Sequence, residues 1–339
     1  MKRVALVSAL LCLSCGEAVT PDDPFSPTQL EPTERGLRYR RPAWCAPCAP
    51  CDCACADPVG SAPRTTVPLL GRSDSMPSGP ITHTVDLTTP YFMGRYPVTN
   101  RCRVLCESAG VCPAGLDGRS PVALPTDDYA NDRRYADYPA DRMRWTTARQ
   151  LCQWLGGDLP TVMQWSFAMR GPDDLFFPWG DRADCSRGAF NLASGPLNGV
   201  RCRDDDELRP RYVRVDAYPS GRAPFGAFAA VDSVRQWTLD RDWSTQIADQ
   251  PAYYTYDRWL YEESLRQRIL DPAGPTEEQA RLRDRHTKRE AWRSSQLGAS
   301  ALHSNHGAER DPGLDPDYRW APDEVVEIGA RCVWRNPTN

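Results

Sequence analysis

The residues best able to do chemistry in this 339-residue chain are its 14 cysteines. Five of them, Cys45, Cys48, Cys51, Cys53 and Cys55, fall within eleven residues, separated by Ala-Pro pairs, Asp52 and Ala54. Such a run can offer thiolates to a soft metal, or sulfurs for disulfides where the surroundings are oxidising. Prolines stiffen it and the odd count leaves one sulfur to pair elsewhere or stay free, so disulfides are the favoured reading. A second constellation, His303-Ser-Asn-His306, puts two imidazoles three residues apart. Catalytic zinc or iron ordinarily takes three His or carboxylate ligands, and no third has compelling spacing here, so a polar surface pair is the simpler expectation. No GxSxG, HExxH, Walker A or GxGxxG pattern occurs.

Lysine and arginine (41) are interspersed with aspartate and glutamate (45), for a net charge of -4. No basic surface concentrates phosphates, and nucleic acid is not an expected partner. Lys2-Arg3, an apolar run from Val4 to Leu13 and then Ser14-Cys15-Gly16 have the layout of an export signal. The run is shorter than the roughly 20 residues of a spanning helix. Leu11-Cys12-Leu13-Ser14-Cys15 resembles the lipobox of bacterial lipoproteins, with Cys12 where leucine is usual. That resemblance implies acylation at Cys15, and Gly16 behind it implies an outer-membrane destination, facing the periplasm or the exterior. In either compartment the remaining cysteines are read first as disulfides.

Residues 1–15 are thus expected to be a signal, 16–66 a Pro- and Cys-rich spacer without a periodic apolar face, and 67–336 a folded domain. Two helices stand out in the domain. Trp145, Ala148, Cys152 and Leu155 share one face before Gly156-Gly157, and Thr161-Val-Met-Gln164 is a capping box opening a segment that ends at Gly171. Ile81–Leu87 and Val325–Trp334 are expected as strands, in an α+β domain poor in regular structure. The charged stretch 241–288, with Trp259, Leu260 and Leu265 loosely spaced, is expected as a helical insertion.

Several segments, in order, resemble the formylglycine-generating-enzyme or sulfatase-modifying-factor family. They are YFMGRYPVTN (Tyr91 to Asn100), WTTARQLCQWLGGDLPTVMQWSFAMRG (Trp145 to Gly171), FPWGD (Phe177 to Asp181) and AFN (Ala189 to Asn191). YPSGRAPFGAFAAVDSVRQWTLD (Tyr218 to Asp240), DPAGP (Asp271 to Pro275), Trp292 and GARC (Gly329 to Cys332) follow. The resemblance implies a C-type-lectin-like fold whose core is supplied by Trp145, Trp154, Trp165, Trp179, Trp237 and Trp292. It also implies a Cys152–Cys332 disulfide, with Cys106–Cys112 and Cys185–Cys202 as local clips and Cys102 left over, a candidate partner for the spacer cluster.

The family's oxidase holds copper with two cysteines, because Cu(I) prefers thiolates. A gapless register from Trp292 puts those positions at Ala299 and Ser304, and no cysteine occurs between Arg203 and Arg331 in any register. The resemblance therefore implies a pseudoenzyme that binds a peptide, protein or surface ligand in a groove lined by Trp292, His303 and His306, with the membrane met only through the lipid. The alternative is a non-haem metal oxidase-like enzyme using His303 and His306. No cofactor is expected except calcium. The family's loop calcium site would draw oxygens from positions now Ala229 and Gln236, and is read as lost; another would use Asn191 and Glu207, where a solvated acidic loop is an equal reading.

Overall fold

The computed structural model describes residues 56–60, 85–107, 110–113, 129–173, 175, 177–180, 182–190, 202, 212–229, 231, 234–240, 259, 263, 269–272, 278 and 328–335, and the backbone alone at 30–33, 36–39, 65–70, 80–84, 108, 241–245, 252–254, 287–296 and 305–309. Its strands are β1 (Leu30–Thr33), β2 (Gly36–Tyr39), β3 (Ala56–Pro58), β4 (Thr65–Leu70), β5 (Pro80–Asp86), β6 (Tyr91–Gly94), β7 (Arg235–Thr245), β8 (Ala252–Tyr254), β9 (Ile269–Leu270), β10 (Thr287–Gln296), β11 (Asn305–Glu309), β12 (Ile328–Gly329) and β13 (Val333–Arg335). Among the described residues, helices α1 (Asn100–Ser108), α2 (Trp145–Trp154) and α3 (Val162–Arg170) stand between them. The domain is α+β.

The largest sheet runs β11-β10-β7-β12, with β8 also paired to β7; smaller sheets run β13-β6-β3 and β4-β5-β9, and β1 pairs with β2. The C-terminal tail knits two of these together, because β12 lies parallel to β7 while β13, three residues later, lies antiparallel to β6. What was expected as one strand over Val325–Trp334 is thus two, broken at Ala330–Cys332 so that the chain can change sheets.

Both helices read from sequence form where their signals stand. Helix α2 buries Trp145, Ala148, Leu151 and Cys152, and Gly156, at φ +82°, turns the chain out of it. Gly157 then passes so close to β13 that a Cβ there would lie 2.3 Å from the Val333 carbonyl oxygen. At α3 the capping box is closed in both directions: Gln164 N–H donates to Thr161 Oγ1 (3.2 Å) and Thr161 N–H to Gln164 Oε1 (2.9 Å). The Asp240 carboxylate accepts from Val162 N–H (2.5 Å) at the same end. Every residue of α3 except Gln164 is buried, so it is a central helix, apolar on all sides rather than striped. Thr161→Ala should cost about 1 kcal/mol by removing the cap oxygen, measured as a shift in the denaturation midpoint.

Indole N–H groups fasten the helical layer to β7 and its approach. Trp145 Nε1 donates to Thr238 O (2.8 Å), Trp237 Nε1 to Met143 O (2.6 Å) and Trp165 Nε1 to Gln236 Oε1 (2.8 Å). These three tryptophans are buried, Trp154 and Trp179 are partly buried against the core, and the Trp292 side chain lies outside the described residues.

Two boundaries differ from the sequence expectation. Residues 56–58, placed in the spacer, are the inner-facing strand β3, and Asp57 makes a bidentate ion pair with Arg95 (3.0 and 3.0 Å), both side chains 3% exposed. The stretch 241–288 opens on strands, since β7 runs through Thr245 and β8 returns along it; further on, Trp259, Glu263 and Glu278 are helical, and Leu260 and Leu265 lie outside the described residues.

Candidate functional site

The loop from Phe225 to Gln236, the exit of β6 at Gly94–Arg95 and the tail at Gly329–Cys332 meet around one buried side chain, Arg331. Its guanidinium spends all its contacts on neutral oxygens. Nε donates to Gln236 Oε1 (2.9 Å), Nη1 to the carbonyls of Gly94 (2.8 Å) and Arg95 (3.0 Å), and Nη2 to those of Phe228 (2.7 Å) and Ala229 (3.4 Å). Burial pulls its pKa down to about 9, against the field of nearby Asp57, and the group remains a cation at neutral pH. One planar fork therefore ties the exit of β6, the 228–229 turn and β7 together, a task suited to arginine's fixed array of donors.

This arrangement decides the loop calcium site. Calcium needs six or more oxygens. Ala229 offers only a methyl group, held at φ +48°, and the Gln236 amide oxygen is already taken by Trp165 Nε1 and Arg331 Nε. The residues present do not fit a calcium ion there. For the other calcium position, Asn191 and Glu207 lie outside the described residues; the Cys185–Cys202 disulfide and the Cys202 N–H to Phe190 O bond (2.8 Å) bracket the start of that loop. Among the described residues no three His, Cys, Asp or Glu side chains converge as a metal site would require.

Backbone register places part of the expected groove. His306 in β11 stands opposite Ser295 in β10, Ser295 stands opposite Gln236 in β7, and Gly329 in β12 is the next neighbour of Gln236. The row runs from the histidine motif to the Arg331 junction. Trp292 stands opposite Arg241 on one side and Glu309 on the other. The side chains of Trp292 and His306, and all of Cys15, Ala299, His303 and Ser304, lie outside the described residues, with 299, 303 and 304 in the connection between β10 and β11.

All three disulfides implied by the resemblance are present: Cys106–Cys112, Cys152–Cys332 and Cys185–Cys202. Sequence reasoning missed the Arg331 junction and the Asp57–Arg95 pair. Arg331 was visible only as a letter of GARC, and its partners are mostly backbone carbonyls, which leave no side-chain pattern to read.

Residues 62–294 match the model of the sulfatase-modifying factor enzyme 1-like domain. The uncharacterized protein YfmG of Bacillus subtilis (strain 168) is 24% identical over 179 residues, covering 48% of this chain and 36% of that protein. The inactive C-alpha-formylglycine-generating enzyme 2 of Bos taurus is 31% identical over 121 residues, covering 35% and 37%. The formylglycine-generating enzyme of Mycobacterium tuberculosis (strain ATCC 25618 / H37Rv) is 27% identical over 161 residues, covering 44% and 51%. The aligned stretches thus span about a third to a half of these relatives' own length. Among solved structures, PvdO from Pseudomonas aeruginosa superposes with a TM-score of 0.49 at 16% identity, over 84% of this chain and 96% of that one.

Proposed function

From a chain that belongs to the sulfatase-modifying factor enzyme 1-like family, we propose a non-catalytic role: an exported module, lipid-anchored at Cys15, that binds a peptide, protein or surface ligand on the face carrying the β10–β11 hairpin. One observation carries the reading. The stretch from Asp204 to Ala330, which contains the positions where the family's oxidase places its two thiolates, has no cysteine at all. No other side chain supplies the soft anionic sulfur that Cu(I) takes as ligand. The three disulfides support the exported half of the proposal, since such bonds persist where the surroundings are oxidising.

A second reading, an enzyme of altered chemistry with His303 and His306 as metal ligands, rests on the register that brings His306 into line with Gln236. Metal analysis by mass spectrometry separates the two, applied to the purified exported chain beside a His303→Ala, His306→Ala double variant. The non-catalytic reading expects no stoichiometric transition metal in either protein. Copper, iron or zinc at one per chain, lost in the variant, would overturn it.

A further inference from the structure

Six of the described cysteines pair with one another, and Cys102 is disulfide-bonded as well. Its partner is therefore among Cys12, Cys15, Cys45, Cys48, Cys51, Cys53 and Cys55. The topology of the β13-β6-β3 sheet narrows the choice. Strand β3 is antiparallel to β6, with Ala56 opposite Gly94, so the chain enters β3 at the end of the sheet where β6 leaves for Val98 and α1. At that end Gly94 N–H donates to Cys332 O and Val98 N–H to Ala330 O, both at 2.8 Å, and Cys102 packs in one apolar cluster with Val98, Ala330 and Cys332. The Asp57–Arg95 ion pair pins the entering chain to the same place. Disulfides need Cα atoms within about 7 Å, and a chain advances at most about 3.6 Å per residue. Cys55 and Cys53 stand one and three residues before Ala56, so the chain can carry them no further than about 4 and 11 Å from it.

We propose that Cys102 is joined to Cys53 or Cys55, so that the cysteine-rich segment is sewn covalently into the domain at β3. The linkage resolves the odd count of the cluster: four sulfurs remain, an even set able to close two bridges of their own. It also moves the point where the tether ends, since from the staple onward the chain travels with the domain. The proposal stands apart from the ligand-binding reading and holds whether or not the chain carries a lipid.

Peptide mapping of the full chain tests it, with the protein purified without reductant and its free thiols blocked by iodoacetamide. Arg101 and Arg103 flank Cys102, so trypsin frees it as a dipeptide that stays attached only through its sulfur. A second cut by Asp-N, before Asp52 and Asp57, separates Cys53 and Cys55 from Cys45, Cys48 and Cys51. The expected product joins Cys102–Arg103 to residues 52–56, which stay bridged to residues 45–51 through their second cysteine, and fragmentation places the Cys102 bond on Cys53 or Cys55; reduction releases all three peptides. Alkylated Cys102, a bond fragmentation assigns from Cys102 to Cys45, Cys48 or Cys51 or to the signal segment, or a disulfide between two copies of Cys102 would overturn the assignment. In a Cys102→Ser variant one additional thiol per chain should become alkylated, and it should map to residues 52–56; unchanged labelling there counts equally against the proposal.

Discussion

Arg331→Met is expected to destabilise the domain by roughly 4 kcal/mol or more, an effect near the top of what single substitutions do. Methionine fills much of the volume but donates nothing, so the carbonyls of Gly94, Phe228 and Ala229 lose the guanidinium, Arg95 O keeps only its bond from Phe228 N–H, and Gln236 loses one of its two donors. Each buried acceptor left without a partner costs about 1–3 kcal/mol. The loss is shared among three segments that have no other common side chain in this network, so their mutual packing should loosen together. Arg331→Lys should recover only part of it, because a point charge with three donors cannot span the same fork. Urea denaturation followed by tryptophan fluorescence measures both variants, with Trp165 reporting from the junction itself. A loss below about 1 kcal/mol for Arg331→Met would mean that water or rearranged backbone replaces the guanidinium and that the junction is not a unit.

Removing the Cys152–Cys332 bridge is expected to cost about 5 kcal/mol, the chain-entropy value for opening so long a loop. The bridge spans 180 residues and joins α2 to the tail that links the two sheets. Both sulfurs sit in the apolar interior, so a Cys152→Ala, Cys332→Ala double variant removes the crosslink without burying a charge or a free thiol. The test compares denaturant midpoints of the double variant and wild type, and of wild type with and without reductant. Reduction also opens Cys106–Cys112, Cys185–Cys202 and the Cys102 bridge, so reduced wild type should fall below the double variant; if the two coincide, these other bridges together contribute little. A double variant as stable as oxidised wild type would show that the tail is held by its strand pairing and by Arg331 alone.

Legibility from sequence followed the range of the interactions. The capping box at Thr161–Gln164 and the glycines ending α2 and α3 are local, and both helices lie where those signals put them. The disulfide between Cys152 and Cys332 is remote, and it was read through the family pattern rather than from spacing. Strand β3 was hidden because Ala-Asp-Pro is too short to show a two-residue period and sits in a proline-rich context that reads as spacer. Its burial depends on β6, more than thirty residues further on, and on Arg95 accepting Asp57 as a partner. At the candidate site, the losses at Ala229 and Gln236 could be read residue by residue. What replaced their oxygens as the organising feature could not, because a guanidinium bound to carbonyls from four different positions has no sequence signature.

The order in which the chain is made sets a problem for its maturation. Cys106 and Cys112 emerge together and can close at once, and Cys185 and Cys202 soon afterwards. Cys152 emerges before the second of these clips and must wait for a partner 180 residues downstream. At roughly 5–20 residues per second that wait lasts on the order of ten seconds or longer, with Cys185 and Cys202 passing within reach as wrong partners. Uncatalysed reshuffling of a misplaced bridge takes seconds to hours. Productive folding therefore depends less on how readily the thiols oxidise than on how readily early, incorrect bridges are exchanged once the C-terminal cysteine arrives.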